Sequence, residues 1–288
     1  MRQPFVAQTR TIRRGSRLFA CYAITLRSQN IKLTQIRNAT LRLDYAGTRF
    51  LIDPMLSDKQ AFPGFPGTAR SALRNPRVAL PLSVSELLDV DIVIVTHTHP
   101  DHWDEAAQKQ MSKQQVIYTQ HQRDADLLRS QGFTAVKILD DVNTIIGISV
   151  MKTPCQHGSD QAYAIPELAA SLGKVCGLIF RHADEKTLYI SGDTVWTAAF
   201  ADTLESQAPD VVVLNIGEAT VDGVGSIILK KEDALRTHRI VPNAVIVGSH
   251  LEAVNHCLLS RAALRAYAAA QGIEQCVVVP EDGETLQF

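Results

Sequence analysis

Cysteine is scarce and scattered. The five cysteines of the 288-residue chain, at positions 21, 155, 176, 257 and 276, form no C-x-x-C pair and are odd in number. That argues against a disulfide framework and against a cysteine-based zinc knuckle. A reduced, cytoplasmic setting is the expectation. No apolar run approaches the ~18 residues of a membrane span. No fixed-period repeat and no low-complexity tract occurs, which sets repeat architectures aside. Apolar residues make up 45% and charged residues 20% of the chain, a globular balance that excludes wholesale disorder. The length gives room for one large core or two small ones.

Acidic residues are missing from the beginning. The first is Asp44, and nine basic residues precede it: Arg2, Arg10, Arg13, Arg14, Arg17, Arg27, Lys32, Arg37 and Arg42. The remainder holds 20 of the 29 basic residues and all 30 acidic ones, so the net charge of −1 is a sum of two unlike parts. The apolar stretch Leu18–Leu26 follows three arginines as in a signal peptide, but Arg27 comes at once and no A-x-A site appears. Leu18-Phe19-Ala20-Cys21 has the look of a lipoprotein box, with no apolar region before it. A basic arm for nucleic acid is a further reading. Patterned structure begins only at Ile31, so residues 1–30 are expected to be a basic, disordered extension outside the fold.

From there the chain alternates. Thr40–Tyr45 and Arg49–Asp53 flank Ala46-Gly47-Thr48 and read as a β-hairpin. Residues 54–81 carry five prolines with Phe62 and Phe65 among them, too long for a plain connection and so a functional loop. Asp91–Thr96 reads as a buried strand. Helices are expected near 103–113, 120–131, 196–207, 231–239 and 260–270, the last stopped by Gly272. Strands are expected at 144–151, 176–181, 186–191, 211–214, 244–248 and 276–279, the last closing the chain. Strand-rich hairpins followed by mixed strands and helices imply layered sheets with helices outside.

The dominant signal is Thr96-His97-Thr98-His99-Pro100-Asp101-His102, directly after a buried strand. In extended chain His97 and His99 point to the same side. Imidazole is the commonest ligand of zinc-like ions, and Asp101 adds an anionic oxygen. Donors packed this tightly are costly in a core unless a cation compensates their desolvation. His157, Asp193 and His250 each follow an expected strand, where sites sit in α/β architectures. Other candidates have bland readings. His121 reads as a capping residue, and His182, His238 and the charged run Lys230–Asp233 as surface. Trp103 and Trp196 read as core, Cys155 as a small buried residue, and the 215–225 loop as a wall of the cleft.

His97-x-His99-x-Asp101-His102, then His157, Asp193 and His250 in this order, resembles the metallo-β-lactamase superfamily. Gly47…Phe50-Leu51-Ile52-Asp53-Pro54 is similar to that family's first motif. Within it the chain looks most like the ascorbate-6-phosphate lactonase-like branch of zinc-dependent hydrolases. The resemblance implies a four-layer αββα sandwich over residues 31–288, a hydrolase domain with two metals between the sheets. By position, His97, His99 and His157 would hold one metal, Asp101, His102 and His250 the second, and Asp193 would bridge them. Two divalent ions, Zn²⁺ or alternatively Mn²⁺ or Fe²⁺, would activate a hydroxide between them. Asp101 would also serve catalysis by orienting the nucleophile or shuttling its proton.

His250 at its strand end is the preferred last ligand over His256. Glu252, Asn255 and His256 are candidates for supporting the site or touching substrate. The expected reaction is hydrolysis of an ester, lactone or phosphoester of a small polar molecule. The alternatives are a nuclease or phosphodiesterase of the same superfamily and a non-catalytic metal-binding protein. The acidic body argues against nucleic acid as partner. A membrane partner is not expected, and a homo-oligomer is left open.

Overall fold

The computed structural model describes residues 31–288, so the expected extension at 1–30 lies outside the described residues. The first six strands are β1 (Lys32–Arg37), β2 (Thr40–Tyr45), β3 (Thr48–Ile52), β4 (Ile92–Val95), β5 (Ile117–Thr119) and β6 (Val136–Ile138). The next five are β7 (Val142–Ile145), β8 (Ile148–Pro154), β9 (Cys176–Arg181), β10 (Leu188–Ile190) and β11 (Val211–Asn215). A small hairpin follows, β12 (Thr220–Val221) and β13 (Gly225–Ser226), then β14 (Val245–Ser249), β15 (Val277–Val278) and β16 (Thr285–Gln287). One seven-stranded sheet has the order β16-β1-β2-β3-β4-β5-β6, the other β15-β14-β11-β10-β9-β8-β7.

Side-chain alternation assigns each strand's residues to two different cores. Leu41, Leu43, Phe50, Ile52 and Ile94 of the first sheet pack between the sheets on Val150, Leu178, Phe180, Ile190 and Val213 of the second. Their neighbours Leu51, Val93 and Val95 face outward onto α1 (Val84–Leu87), α2 (Glu105–Gln110) and α3 (Gln122–Ser130) through Leu87, Ala107 and Leu128. On the other side Ile179, Val212, Leu214 and Ile246 meet α6 (Ala198–Gln207), α7 (Lys231–Ile240) and α8 (Arg261–Ala270) through Phe200, Leu204, Ala234 and Leu264. The central strands are apolar on both faces because both faces are covered. The result is the expected αββα layering. The Tyr45 hydroxyl joins the sheets by donating to the carbonyls of Phe180 (3.1 Å) and Lys186 (2.9 Å).

The expected hairpin is β2–β3, turning at Ala46 and Gly47, both with positive φ (48° and 78°). Two expectations need correction. The strand at 144–151 is a second hairpin, β7–β8, because Ile146 and Gly147 adopt positive φ (48° and 80°) and reverse the chain. The 276–279 strand does not close the chain, since β16 follows and pairs antiparallel with β1. Between β8 and β9 stand two short helices, α4 (Asp160–Tyr163) and α5 (Pro166–Leu172), too brief to leave a periodic apolar pattern. They carry one wall of the site. No helix among the described residues is long and apolar enough to cross a membrane.

Candidate metal centre

The H-x-H-x-D-H segment follows β4 directly. Asp53, just after the neighbouring strand β3 and itself at φ +47°, accepts from Thr96 N and Thr96 Oγ1 (both 2.7 Å) and fixes where the strand ends. The backbone N–H groups of His102 and Trp103 donate to the His99 carbonyl (2.9 and 2.8 Å), folding the motif back on itself. Asp104 then caps α2 by accepting from Ala107 N (2.8 Å). His157 follows β8, Asp193 follows β10 and His250 follows β14 at φ +59°. Gly217 makes room for that last turn: a Cβ there would run into the His250 carbonyl oxygen.

The seven expected donors converge. His97, His99 and His157 form one group, His97, His102 and Asp193 a second, and Asp101, His102 and His250 a third, with donor atoms inside each group within 4.8 Å of one another. Asp193 is central: its Oδ2 lies 3.1 Å from His102 Nε2, 3.6 Å from His250 Nε2, 3.7 Å from His157 Nε2 and 3.9 Å from His97 Nε2. Six of the seven are buried, and His99 is half-buried.

Two observations test whether this set suits a cation. His97 Nε2 is buried with no hydrogen-bond partner, a cost that an ion would remove. The Nε2 atoms of His102 and His250 stand 3.2 Å apart, so without an ion they must share a proton. The electrostatics agree. Burial, then the neighbouring His102 and His99, push the His97 pKa well below its usual value. Burial likewise lowers His157, to about 4, so both imidazoles present neutral lone pairs. Burial opposes charge on His102, yet Asp193, Asp101 and Asp53 outweigh it and lift its pKa to about 10. The carboxylates thus already stabilise a positive charge at this point, as they would a metal's. His/Asp donors in this number fit one or two divalent ions.

Each buried donor has a further protein partner, that of His97 being Thr96 Oγ1, 3.2 Å from Nδ1. His102 Nδ1 donates to Asp53 Oδ2 (2.9 Å), and His157 Nδ1 lies 3.0 Å from the Ile227 carbonyl. Asn215 Nδ2 donates to Asp193 Oδ1 (2.7 Å), and Asn38 Nδ2 donates to Asp101 Oδ2 (3.2 Å). His250 Nδ1 rests 3.3 Å from Cys257 Sγ. Such contacts fix ring orientation and tautomer. None of these supporting roles was read from the sequence. Asp53 did stand in the quoted first motif, and Asn215 ends a strand as the ligands do. Asn38 and Cys257 carry no local signal.

The three further candidates separate. Glu252 is turned away: it accepts from Arg261 N (3.0 Å) and Arg261 Nη1 (2.8 Å) at the start of α8, so it does not support the metal cluster. The Asn255 side chain is not free for substrate either, because both ends of its amide are used by the 54–81 loop. It accepts from Phe65 N and Asn75 Nδ2, donates to Thr68 Oγ1 and the Ala69 carbonyl, and its N–H donates to Asn75 Oδ1. His256 alone lines the cleft over the cluster, alongside His99, Asp101, His157 and Asp193.

The bland readings mostly stand. His121 caps α3, accepting from Asp124 N (3.3 Å). Trp103 is core against Phe133, whereas Trp196 is half-buried on Phe200. In the charged run Asp233 is buried rather than solvated, because it caps α7 through Lys230 N (2.8 Å).

A four-layer αββα sandwich with a His/Asp cluster at the strand ends defines a metal-site protein of the metallo-β-lactamase fold. The chain belongs to the metallo-β-lactamase superfamily: the family model described as a beta-lactamase superfamily domain matches residues 48–251. Within it the chain groups with the UPF0173 metal-dependent hydrolases. It is 42% identical over 259 residues to UPF0173 protein YddR of Bacillus subtilis, covering 90% of this chain and 100% of that one. It is 28% identical over 264 residues to a UPF0173 metal-dependent hydrolase of Azorhizobium caulinodans, covering 89% and 100%. Among solved structures, isothiocyanate hydrolase from Delia radicum gut bacteria superposes with a TM-score of 0.88 at 55% identity, covering 89% of this chain and 99% of that one.

Proposed function

We propose that this chain is a metal-dependent hydrolase of neutral, apolar electrophiles, and that an isothiocyanate is its substrate. The observation that carries the substrate class is the cleft over the cluster. It is a cavity of about 500 Å³ walled by Phe65, Pro66, Ile165, Leu168, Leu172, Val221 and Ile227, with no Lys or Arg among its lining residues. Such walls suit an aryl or alkyl group. Beyond the metal site, a phosphoester or a sugar-phosphate lactone would find no Lys or Arg on these walls to offset the desolvation of its phosphate, so both are disfavoured. The 55% identity to an isothiocyanate hydrolase supports the –N=C=S group in particular.

In this reading His97, His99 and His157 would hold one divalent ion and Asp101, His102 and His250 a second, with Asp193 available to both sets; zinc is the proposed metal. When bound, the ions supply Lewis-acid polarisation and a water that ionises near neutral pH. The chain's own groups do the rest. Asp101, held by Asn38, accepts the proton of the attacking water and returns it. The apolar walls exclude bulk water and align the linear group. The oxygen of water bonds to the central carbon, the C=N π pair moves to nitrogen, and nitrogen takes a proton. The resulting thiocarbamic acid separates into an amine and carbonyl sulfide.

The test is a hydrolysis panel: amine release from benzyl isothiocyanate, phenol release from phenyl acetate, acid release from a γ-lactone and p-nitrophenolate release from p-nitrophenyl phosphate. Turnover of the isothiocyanate with little on the phosphate supports the reading. The reverse order rejects it.

A further inference from the structure

One imidazole in the cleft differs from three of the candidate ligands. The rings of His102, His157 and His250 are each held from behind through Nδ1 by a protein group, as metal ligands are. His256 is buried to a similar degree, with 6% of its surface exposed, but its Nδ1 has no partner at all. It also belongs to none of the three groups whose donor atoms converge for a metal. Yet it faces the same cavity as His99, Asp101, His157 and Asp193.

Its placement is rigid. On one side Asn255 ties the chain to the 54–81 loop. On the other, Cys257 forms a β-bridge with Ala219. The His256 carbonyl itself accepts from Thr220 N (3.0 Å). The ring meets Phe65 edge to face, with centroids 5.2 Å apart and planes at 90°. A buried polar ring left without a partner costs about 1–3 kcal/mol. An imidazole held this firmly, beside the cluster but outside it, is arranged for a ligand that enters the cleft.

We propose that His256 is a catalytic residue that contacts the substrate, its ring N–H donating a hydrogen bond to the heteroatom that gains negative charge as the electrophilic carbon is attacked. This rests on the hydrolase reading above and adds the residue that faces the substrate. Burial lowers the His256 pKa to about 4, so the ring is a neutral donor and keeps its proton. It therefore stabilises charge as an oxyanion-hole donor does, and the substrate nitrogen takes its proton from elsewhere. Phe65 gives the same ring an apolar neighbour, so one edge of the cleft would sense the –N=C=S group and the other its organic substituent.

The test compares metal-loaded wild type with His256→Phe, which keeps an aromatic ring against Phe65 but has no N–H, and with His256→Asn, which restores a donor. Metal content, kcat for benzyl isothiocyanate, and the affinity for thiocyanate ion, a stable linear analogue, are measured on the same samples. The expected result for His256→Phe is wild-type metal content, a kcat lowered by about 100-fold and a thiocyanate Kd weakened about tenfold. His256→Asn should recover part of both. A His256→Phe variant within about twofold of wild type in thiocyanate affinity and kcat overturns the proposal, as does one that has lost an ion, which would make His256 a ligand. If wild type itself leaves isothiocyanates untouched, the substrate reading fails, and thiocyanate affinity still decides the role of His256.

Discussion

Asp53 Oδ2 stands 2.9 Å from His102 Nδ1, on the side of the ring away from the cluster, and the same carboxylate takes both the N–H and the hydroxyl of Thr96. One side chain thus sets the end of β4 and the tautomer of a metal-facing imidazole. Asp53→Asn keeps the shape but presents an amide that suits only one orientation. Divalent-metal affinity should fall about 10–100-fold, read by competition with a chelator of known affinity. Unchanged affinity would make Asp53 purely a fold residue.

Asp193 reaches towards four imidazoles through one oxygen. Asp193→Ala removes the point where the two donor sets meet. Metal stoichiometry and hydrolysis should therefore fall together, and His97→Ala should do the same from the first set. Elemental analysis beside a rate assay checks this. A variant with full metal content and no activity would assign Asp193 to chemistry alone.

Gly217 is a steric requirement and not a flexible joint. Its missing Cβ is what lets the His250 carbonyl pass, and His250 is already in the left-handed region. Gly217→Ala should destabilise the fold by about 1–3 kcal/mol, seen as a lower Tm, and should weaken metal binding as His250 is displaced. A Tm and metal affinity equal to wild type would show that the turn yields without consequence.

Asn255 carries five hydrogen bonds to the 54–81 loop. Asn255→Ala should leave the metal cluster intact but release the loop that bears Phe65. Limited proteolysis should then cut within 54–81 faster than in wild type, and KM for an aryl substrate should rise more than kcat falls. Equal cleavage rates would count against the loop being held in this way.

The sequence made the centre legible and its surroundings opaque, for physical reasons. Candidate donors announce themselves because His and Asp packed after apolar strands are costly unless a cation compensates, so His97, His99, Asp101 and His102 are legible as one cluster, and His157, Asp193 and His250 by their recurrence at strand ends and by the resemblance. Their supports are not. Asn38 reaches His250 across 212 residues of sequence and Cys257 across seven, and in both cases only the folded chain makes the contact. Glu252 and Asn255 follow His250 closely in sequence, but the left-handed turn at His250 and Glu252 precedes side chains that bond to Arg261 and to the 54–81 loop instead. The helices α4 and α5 leave no sequence signal because four and seven residues carry too little periodicity. The consequence was functional: without Ile165, Leu168 and Leu172 the site reads as a polar one, whereas the folded cleft is walled by apolar groups.

The most direct test of the central claim is amine release from benzyl isothiocyanate by one preparation, followed through chelation and reloading with Zn²⁺. Metal-dependent hydrolysis in an apolar cleft predicts turnover in the loaded protein, loss on chelation and recovery as metal content returns. Full turnover in metal-free protein, or none in fully loaded protein, would contradict it.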